Sequence, residues 1–197
     1  LNGLLVATVP LALLSMGQLN VLLVGSFDVS VGALMTLGVV AASYLMTPDM
    51  AWYTLVGGAL AVIAIGIFVG FCNAGLIKVI GLSAIIATLA TLSILQGLSL
   101  WLRPVPSGNI NDGVISALTY DVGGVPISFI GVIVLAGLWD YWLYRRPGGL
   151  TMRAVGFDET SARRLGMRAD YLAIRAFVIC ALMAVVASLF LSAQIAI

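Results

Sequence analysis

Seven of the nine basic residues of this chain lie between Arg145 and Arg175, and long apolar runs flank that stretch on both sides. Short Lys/Arg-rich segments resist translocation, so in a membrane protein such a loop stays on the cytoplasmic side. Charged residues make up 9% of the chain and hydrophobic ones 62%, against roughly 25% charged in ordinary soluble domains. Mean hydropathy is +1.17. A soluble fold could not bury so much apolar surface, and the expected class is an all-α, polytopic helical membrane protein.

Composition also excludes functions. The chain has no His, which removes the commonest metal ligand and the usual general base. Its single lysine, Lys78, is not part of a Gly-Lys-Ser/Thr sequence, so no phosphate-cradling nucleotide loop is present. No catalytic residue, metal site or nucleic-acid partner is expected. Cys72 and Cys180 both fall inside apolar runs and read as small buried hydrophobes.

A hydrocarbon core of ~30 Å needs about 20 apolar residues per helix. Six segments approach this: about Leu4 to Gly25, Val29 to Met46, Trp52 to Ile77, Ala84 to Leu102, Ile127 to Tyr144, and Tyr171 to the end. The second is short and is separated from the first only by Ser26-Phe27-Asp28. It reads either as a full span starting low in the membrane or as a half-helix.

With residues 145–170 as a cytoplasmic loop, the linker Arg103 to Pro126 lies outside. Its Pro104, Pro106, Gly108, Gly113, Gly123, Gly124 and Pro126, with Asn109, Asn111, Asp112 and Asp121, predict an irregular external loop. Lys78 then falls inside, the Thr47–Ala51 turn outside, Asp28 in the cytoplasmic half, and Leu1 outside. An N-terminus outside, opening on Leu1 without a signal peptide, leads to the expectation that residues 1–197 are a single transmembrane domain truncated at both ends.

Three motifs resemble the membrane-spanning permease subunits of ribose-type monosaccharide ABC importers. Asp28-Val29-Ser30-Val31-Gly32 is similar to that family's Asp-Leu-Ser-Val-Gly opening of a helix. Asn73, followed by Ile85-Ile86-Ala87-Thr88-Leu89 and Gln96-Gly97-Leu98, is similar to its next pair of helices. Gly156 through Gly166 matches the spacing of its cytoplasmic loop, roughly Gly-Gly-Asn-Glu-x-Ala-Ala-Arg-x-x-Gly. Phe157 and Asp158 replace the usual Gly-Asn, Ser161 stands where Ala is typical, and Ala74 replaces a Gly.

The resemblance implies a bundle with no catalytic site of its own, moving a monosaccharide or related polyol along an interface between two permease subunits. It implies a cytoplasmic ATPase that carries the ATP and Mg, an external sugar-binding protein, and a bacterial cytoplasmic membrane as the setting. The chain itself is expected to bind no cofactor. The ATPase would receive the short cytoplasmic helix.

The residues of that helix have their own logic. Asp158 or Glu159 suits a helix N-terminus, Glu159 and Arg163 pair at i, i+4, and Gly166 suits a left-handed C-terminal position. Gly156 is read as a sharp turn into the helix. Ala162 and Leu165 are read as an apolar stripe for the partner, with Glu159, Arg163 and Arg164 as its charged rim. The bland alternative is a solvated helix whose arginines only set topology.

Asp28 reads as a helix cap serving Ser30 or Val31, or as a pathway residue, because charge within the bilayer is expensive. Gln18, Asn20, Ser30, Asn73, Thr88, Thr91 and Gln96 form a neutral polar inventory that suits a polyol path. The same amides and hydroxyls also hold helices together. Gly66 and Gly70 are expected at a close helix crossing. Trp139, Tyr141, Trp142 and Tyr144 are expected in an interfacial belt, with Asp140 reaching water or a nearby arginine. The competing class is an ion-coupled secondary transporter of small polar solutes. It would use midplane charges, and Asp28 is the one deep candidate.

Overall fold

A computed structural model describes residues 2–105 and 110–195, so the readings placed on Leu1, Pro106, Gly108 and Asn109 lie outside the described residues. Among the described residues, five helices are long and apolar enough to cross a membrane: α1 (Asn2–Leu23), α3 (Trp52–Lys78), α4 (Ala84–Leu102), α6 (Ile127–Arg145) and α9 (Ala169–Ile195). A shorter apolar helix, α2 (Val31–Leu45), spans 15 residues, or about 22 Å. It is shorter than the hydrocarbon core and starts recessed. The chain is a polytopic helical membrane protein.

Helix α9 is the spine against which α1, α2 and α3 pack. Its small residues, among them Ala176, Ala181, Ala184 and Ser188, are buried, and the helices facing it meet them with glycines. A Cβ at Gly17 would reach the Cys180 backbone, one at Gly38 the Ser188 hydroxyl, one at Gly66 the Val185 methyls, and one at Gly70 the Val178 backbone. Lipid tails are as apolar as Leu, so association here depends on close van der Waals approach rather than on expelled water. The crossing expected at Gly66 and Gly70 is present. Gly57 and Gly75, by contrast, face open space. Of the two cysteines only Cys180 is buried; Cys72 lies on the exposed side of α3, which corrects the reading of both as core.

The 103–126 linker is not simply irregular. It holds α5 (Asp112–Thr119) and a two-stranded ribbon, β1 (Asp121–Val122) against β2 (Val125–Pro126). Asn111 caps α5 by accepting the Gly113 N–H at 2.9 Å. Val114, Ile115 and Leu118 pack onto the main apolar cluster. On the far side of the fold, two helices follow α6: α7 (Pro147–Phe157) and α8 (Glu159–Arg164). The first is absent from the sequence reading.

The two ends of the bundle are chemically distinct. At one end the α2–α3 turn meets the linker, with Asn111 N–H donating to Met46 O and Asn111 Nδ2 to Pro48 O. Tyr44 donates its hydroxyl hydrogen to Leu102 O at that same end. At the opposite end Lys78, α7, α8 and the start of α9 come together.

Candidate functional site

Two features of the fold carry chemistry, a polar break between α1 and α2 and the short helix α8. Helix α1 stops in a Schellman turn: Gly25 N–H donates to Leu22 O and Ser26 N–H to Val21 O, with Gly25 at φ 73°, a conformation glycine adopts without strain. Residues 24–30 are then non-helical until α2 begins. Irregular backbone at membrane depth needs internal partners for its polar groups, and here α1's last turn, Asp28 and Thr88 of α4 supply them.

Asp28 Oδ1 accepts from the Ser30 N–H at 2.9 Å and from the Ser30 hydroxyl at 2.6 Å. The Ser30 oxygen accepts from Asn73 Nδ2 at 2.8 Å, and Asn73 Oδ1 accepts from the Thr91 hydroxyl at 2.6 Å. The Val29 N–H donates to Thr88 Oγ1 at 3.2 Å. Asp28, Ser30, Asn73, Thr88 and Thr91 are all buried. Asn73 lies five residues before the end of α3 and Thr91 seven residues into α4, which puts the cluster roughly 7–10 Å inside the bundle from its basic end. The break therefore joins α2, α3 and α4 through one chain of hydrogen bonds.

The remaining polar candidates are elsewhere. Gln18 accepts a weak bond from the Cys180 thiol at 3.7 Å. Asn20 is fully buried on α1, donating to Met16 O while its own oxygen has no partner among the described residues. Gln96 is exposed on α4, away from the break.

Helix α8 begins where Asp158 caps it. The Asp158 carboxylate accepts from the Thr160 and Ser161 N–H groups and from the Ser161 hydroxyl. These bonds, led by the Ser161 hydroxyl, hold its carboxyl below the usual range. Glu159 and Arg163 pair as expected, with Arg163 Nη2 at 2.7 Å from Glu159 Oε1. That guanidinium, helped by Lys78, also keeps Glu159 below its ordinary value. Arg163 bonds Asp170 as well, and the two carboxylates raise the Arg163 pKa further. Gly166, at φ 82°, ends the helix in the left-handed conformation. Arg164 is exposed.

Three details differ from the sequence reading. Ala162 does not face outward: it is 3% exposed and packs with Met152, Val155, Ala169 and Phe177 in an apolar cluster under α8. The apolar groups that project are Leu165, 76% exposed, and Phe157, 95% exposed. Gly156 makes no turn, because it lies within α7. Its role is close approach, since a Cβ there would collide with the carbonyl oxygen of Leu23 at the end of α1.

Lys78 and Asp170 were missed as members of the α8 environment. Lys78 Nζ lies 3.4 Å from Glu159 Oε1 and 3.9 Å from Asp170 Oδ1. Lys78 is hidden by its distance from Glu159 in sequence, and Asp170 by lying beyond Gly166, in the first turn of α9. Two of the aromatics expected in the belt hold cations: Arg153 stacks on Tyr144 and Arg175 on Trp142. Asp140 is exposed and makes no ion pair with an arginine among the described residues.

Comparison with known proteins matches residues 1–197 to the family model described as branched-chain amino acid transport system/permease component. Among curated proteins the chain is similar to the autoinducer 2 import system permease protein LsrC of Salmonella typhimurium, 32% identical over 193 residues, covering 94% of this chain and 53% of that protein. The same-named protein of Shigella flexneri is 30% identical over 193 residues, covering 94% of this chain and 54% of that protein. That of Yersinia pestis (strain Pestoides F) is 28% identical over 194 residues, covering 94% and 52%. The chain thus spans about half the length of the curated relatives it matches. No solved structure matches it.

Proposed function

The chain belongs to the family of branched-chain amino acid transport system permease components, and from that premise we propose that it forms part of the membrane path of an ATP-driven importer. The cargo is a monosaccharide or related polyol, handed over by an external binding protein. Residues 1–197 belong to a single permease domain in a bacterial cytoplasmic membrane. Residues 145–170 face a cytoplasmic ATPase, which holds the ATP and Mg; this chain binds no cofactor. A second permease subunit completes the path.

The observation that carries this reading is the form of α8. A contact that transmits force needs a rigid element with a fixed inner face and a projecting outer one. Ala162 anchors the inner face in the apolar cluster. Leu165 and Phe157 project beside Arg164, a pairing of apolar knobs and charged rim that suits a protein partner. The polar break supports the cargo class, since Ser30, Asn73, Thr88 and Thr91 are neutral hydrogen-bonding groups. Asp28, the charge an ion-coupled carrier would need, is engaged with Ser30.

The test places a charge on the outer face. Leu165→Glu and Phe157→Glu leave the inner cluster intact, so the permease should insert and fold normally. Each should reduce co-purification of the ATPase subunit by about tenfold or more, the typical cost of burying an unpaired charge in an interface. Co-purification at the unmodified level in both variants would rule out α8 as the docking element.

A further inference from the structure

The ionic groups around α8 form a closed ring. Lys78 faces both Glu159 and Asp170, and Arg163 faces the same two carboxylates. Each cation thus meets each anion, and the ring joins the last residue of α3, the first turn of α8 and the first turn of α9. Glu159 and Asp170 are near one another in sequence, on either side of Gly166. Lys78 comes from far away, and it brings α3 to the coupling helix.

Five residues before Lys78, the same helix carries Asn73. Asn73 donates to Ser30 at the start of α2 and accepts from Thr91 in α4. The separation is about 7 Å, under one and a half helical turns, over which an α-helix acts as a stiff rod. Ala74 and Ile77, between the two sites, pack in the same apolar cluster as Ala162. A shift of α8 therefore acts on one end of this rod, and the polar break lies at its other end.

We propose that Lys78 is a positioning residue that ties α8 to the polar break: through the ring it sets where Asn73 sits between Ser30 and Thr91, and so couples movement of α8 to opening of the non-helical segment 24–30. This rests on the reading of α8 as the ATPase contact. It goes beyond that reading in naming the route from the contact to the break. A compact ammonium suits the position, because it can face two carboxylates at once. The ring is partly exposed, with side-chain exposures of 20–50%, so its individual pairs add little to stability. A device that must engage and release in each cycle needs that weakness.

The experiment uses the assembled transporter in liposomes, with Cys72→Ser and Cys180→Ser as background. Val29→Cys reports the break through its rate of labelling by a water-soluble maleimide, with and without ATP and vanadate. In the otherwise unmodified transporter the nucleotide should change that rate. Lys78→Gln should reduce the change by about fivefold while the ATPase stays bound. Lys78→Arg should retain it, because a cation at this position still faces both carboxylates.

A Lys78→Gln transporter with its ATPase bound and an undiminished nucleotide response would overturn the tie. Loss of the ATPase from Lys78→Gln would overturn it too, making Lys78 a docking residue. Failure of the ATPase to associate with the unmodified permease would instead remove the reading of α8 on which the tie depends. In combination with Asn73→Ala, the Lys78→Gln effect should be non-additive, as for two residues acting through one element. Strict additivity counts against the route.

Discussion

Asp28 serves the backbone. Its carboxylate takes the Ser30 N–H and hydroxyl at the start of α2, and both donors are buried. Asn and Ser can accept the same N–H, so Asp28→Asn and Asp28→Ser should keep most transport activity. Asp28→Ala leaves two buried donors unmatched and should cost about 2 kcal/mol, seen as a lower unfolding temperature in detergent. If Asn and Ser both abolish transport in a folded, inserted protein, the carboxylate does more than hold Ser30, which is itself the N-cap residue of α2. Gly156 makes a second residue-scale case. A Cβ there meets the Leu23 carbonyl oxygen, which is backbone and cannot swing away. Gly156→Ala should therefore destabilise the protein by about 1–3 kcal/mol and loosen α7 from α1. Gly75→Ala is the control: its Cβ enters open space, and alanine in a helix interior should be neutral or gain about 0.5–1 kcal/mol. Equal unfolding temperatures for the two variants would show that the α7–α1 contact is not tight.

Helix α8 has six residues, too few to be stable alone, so it depends on its cap and on α9. Asp158→Ala removes the acceptor for the Thr160 and Ser161 N–H groups, and those amides should exchange hydrogen about fivefold faster. The sign of the pH effect follows from the lowered carboxyl pKa values of Asp158 and Glu159. Their contribution to α8 is complete above the unfolded values of about 3.9 and 4.3 and is lost as pH falls through the lower folded ones. Amide protection in α8 should thus hold from neutral pH down to about pH 4 and drop below it; protection constant to pH 2 would mean the carboxylates are not what holds the helix. Much of this helix is legible in sequence, since cap, i, i+4 pair and terminal glycine are all local. Which side faces inward is not, because Ala162 is turned in by Ala169 and Phe177 of α9. The unread α7 carried one local signal, Pro147 at its first position. Gly148, Gly149 and Gly156 masked it, as glycines suggest turns when their real use is contact with Trp142, Leu143 and Leu23. In the 103–126 linker, the spacing of Val114, Ile115 and Leu118 was the helix signal beneath a turn-rich composition. At the polar break Asp28, Ser30, Asn73, Thr88 and Thr91 are visible one by one, but their pairing across three helices exists only in the packed bundle.

At the scale of the whole molecule, the hydrogen bonds and ion pairs assign each loop to an end of the bundle. Lys78, Arg145, Arg146, Arg153, Arg163, Arg164, Arg168 and Arg175 belong to the end that holds α7 and α8. Arg103 belongs to the other, where it stacks on Tyr44 beside α2's last turn. Eight of the nine basic residues thus share one end, and the other end holds Asp49, Asp112 and Asp121. The positive-inside bias predicts a single orientation for this arrangement, with α8 expected in the cytoplasm and α5 outside. The external probe belongs on α5, where Ser116 is exposed. Thr160 is the matching exposed position on α8, and its replacement leaves the Asp158 cap, which uses the Thr160 backbone, in place. In intact spheroplasts of a strain expressing the permease without Cys72, Ser116→Cys should react with a membrane-impermeant maleimide and Thr160→Cys should not. Permeabilisation should expose Thr160→Cys and leave the labelling of Ser116→Cys unchanged. Reversal of the two patterns would invert the bundle and put α8 beyond reach of any cytoplasmic ATPase. Labelling of both from one side would break the assignment of loops to ends, and with it the span count between α5 and α8.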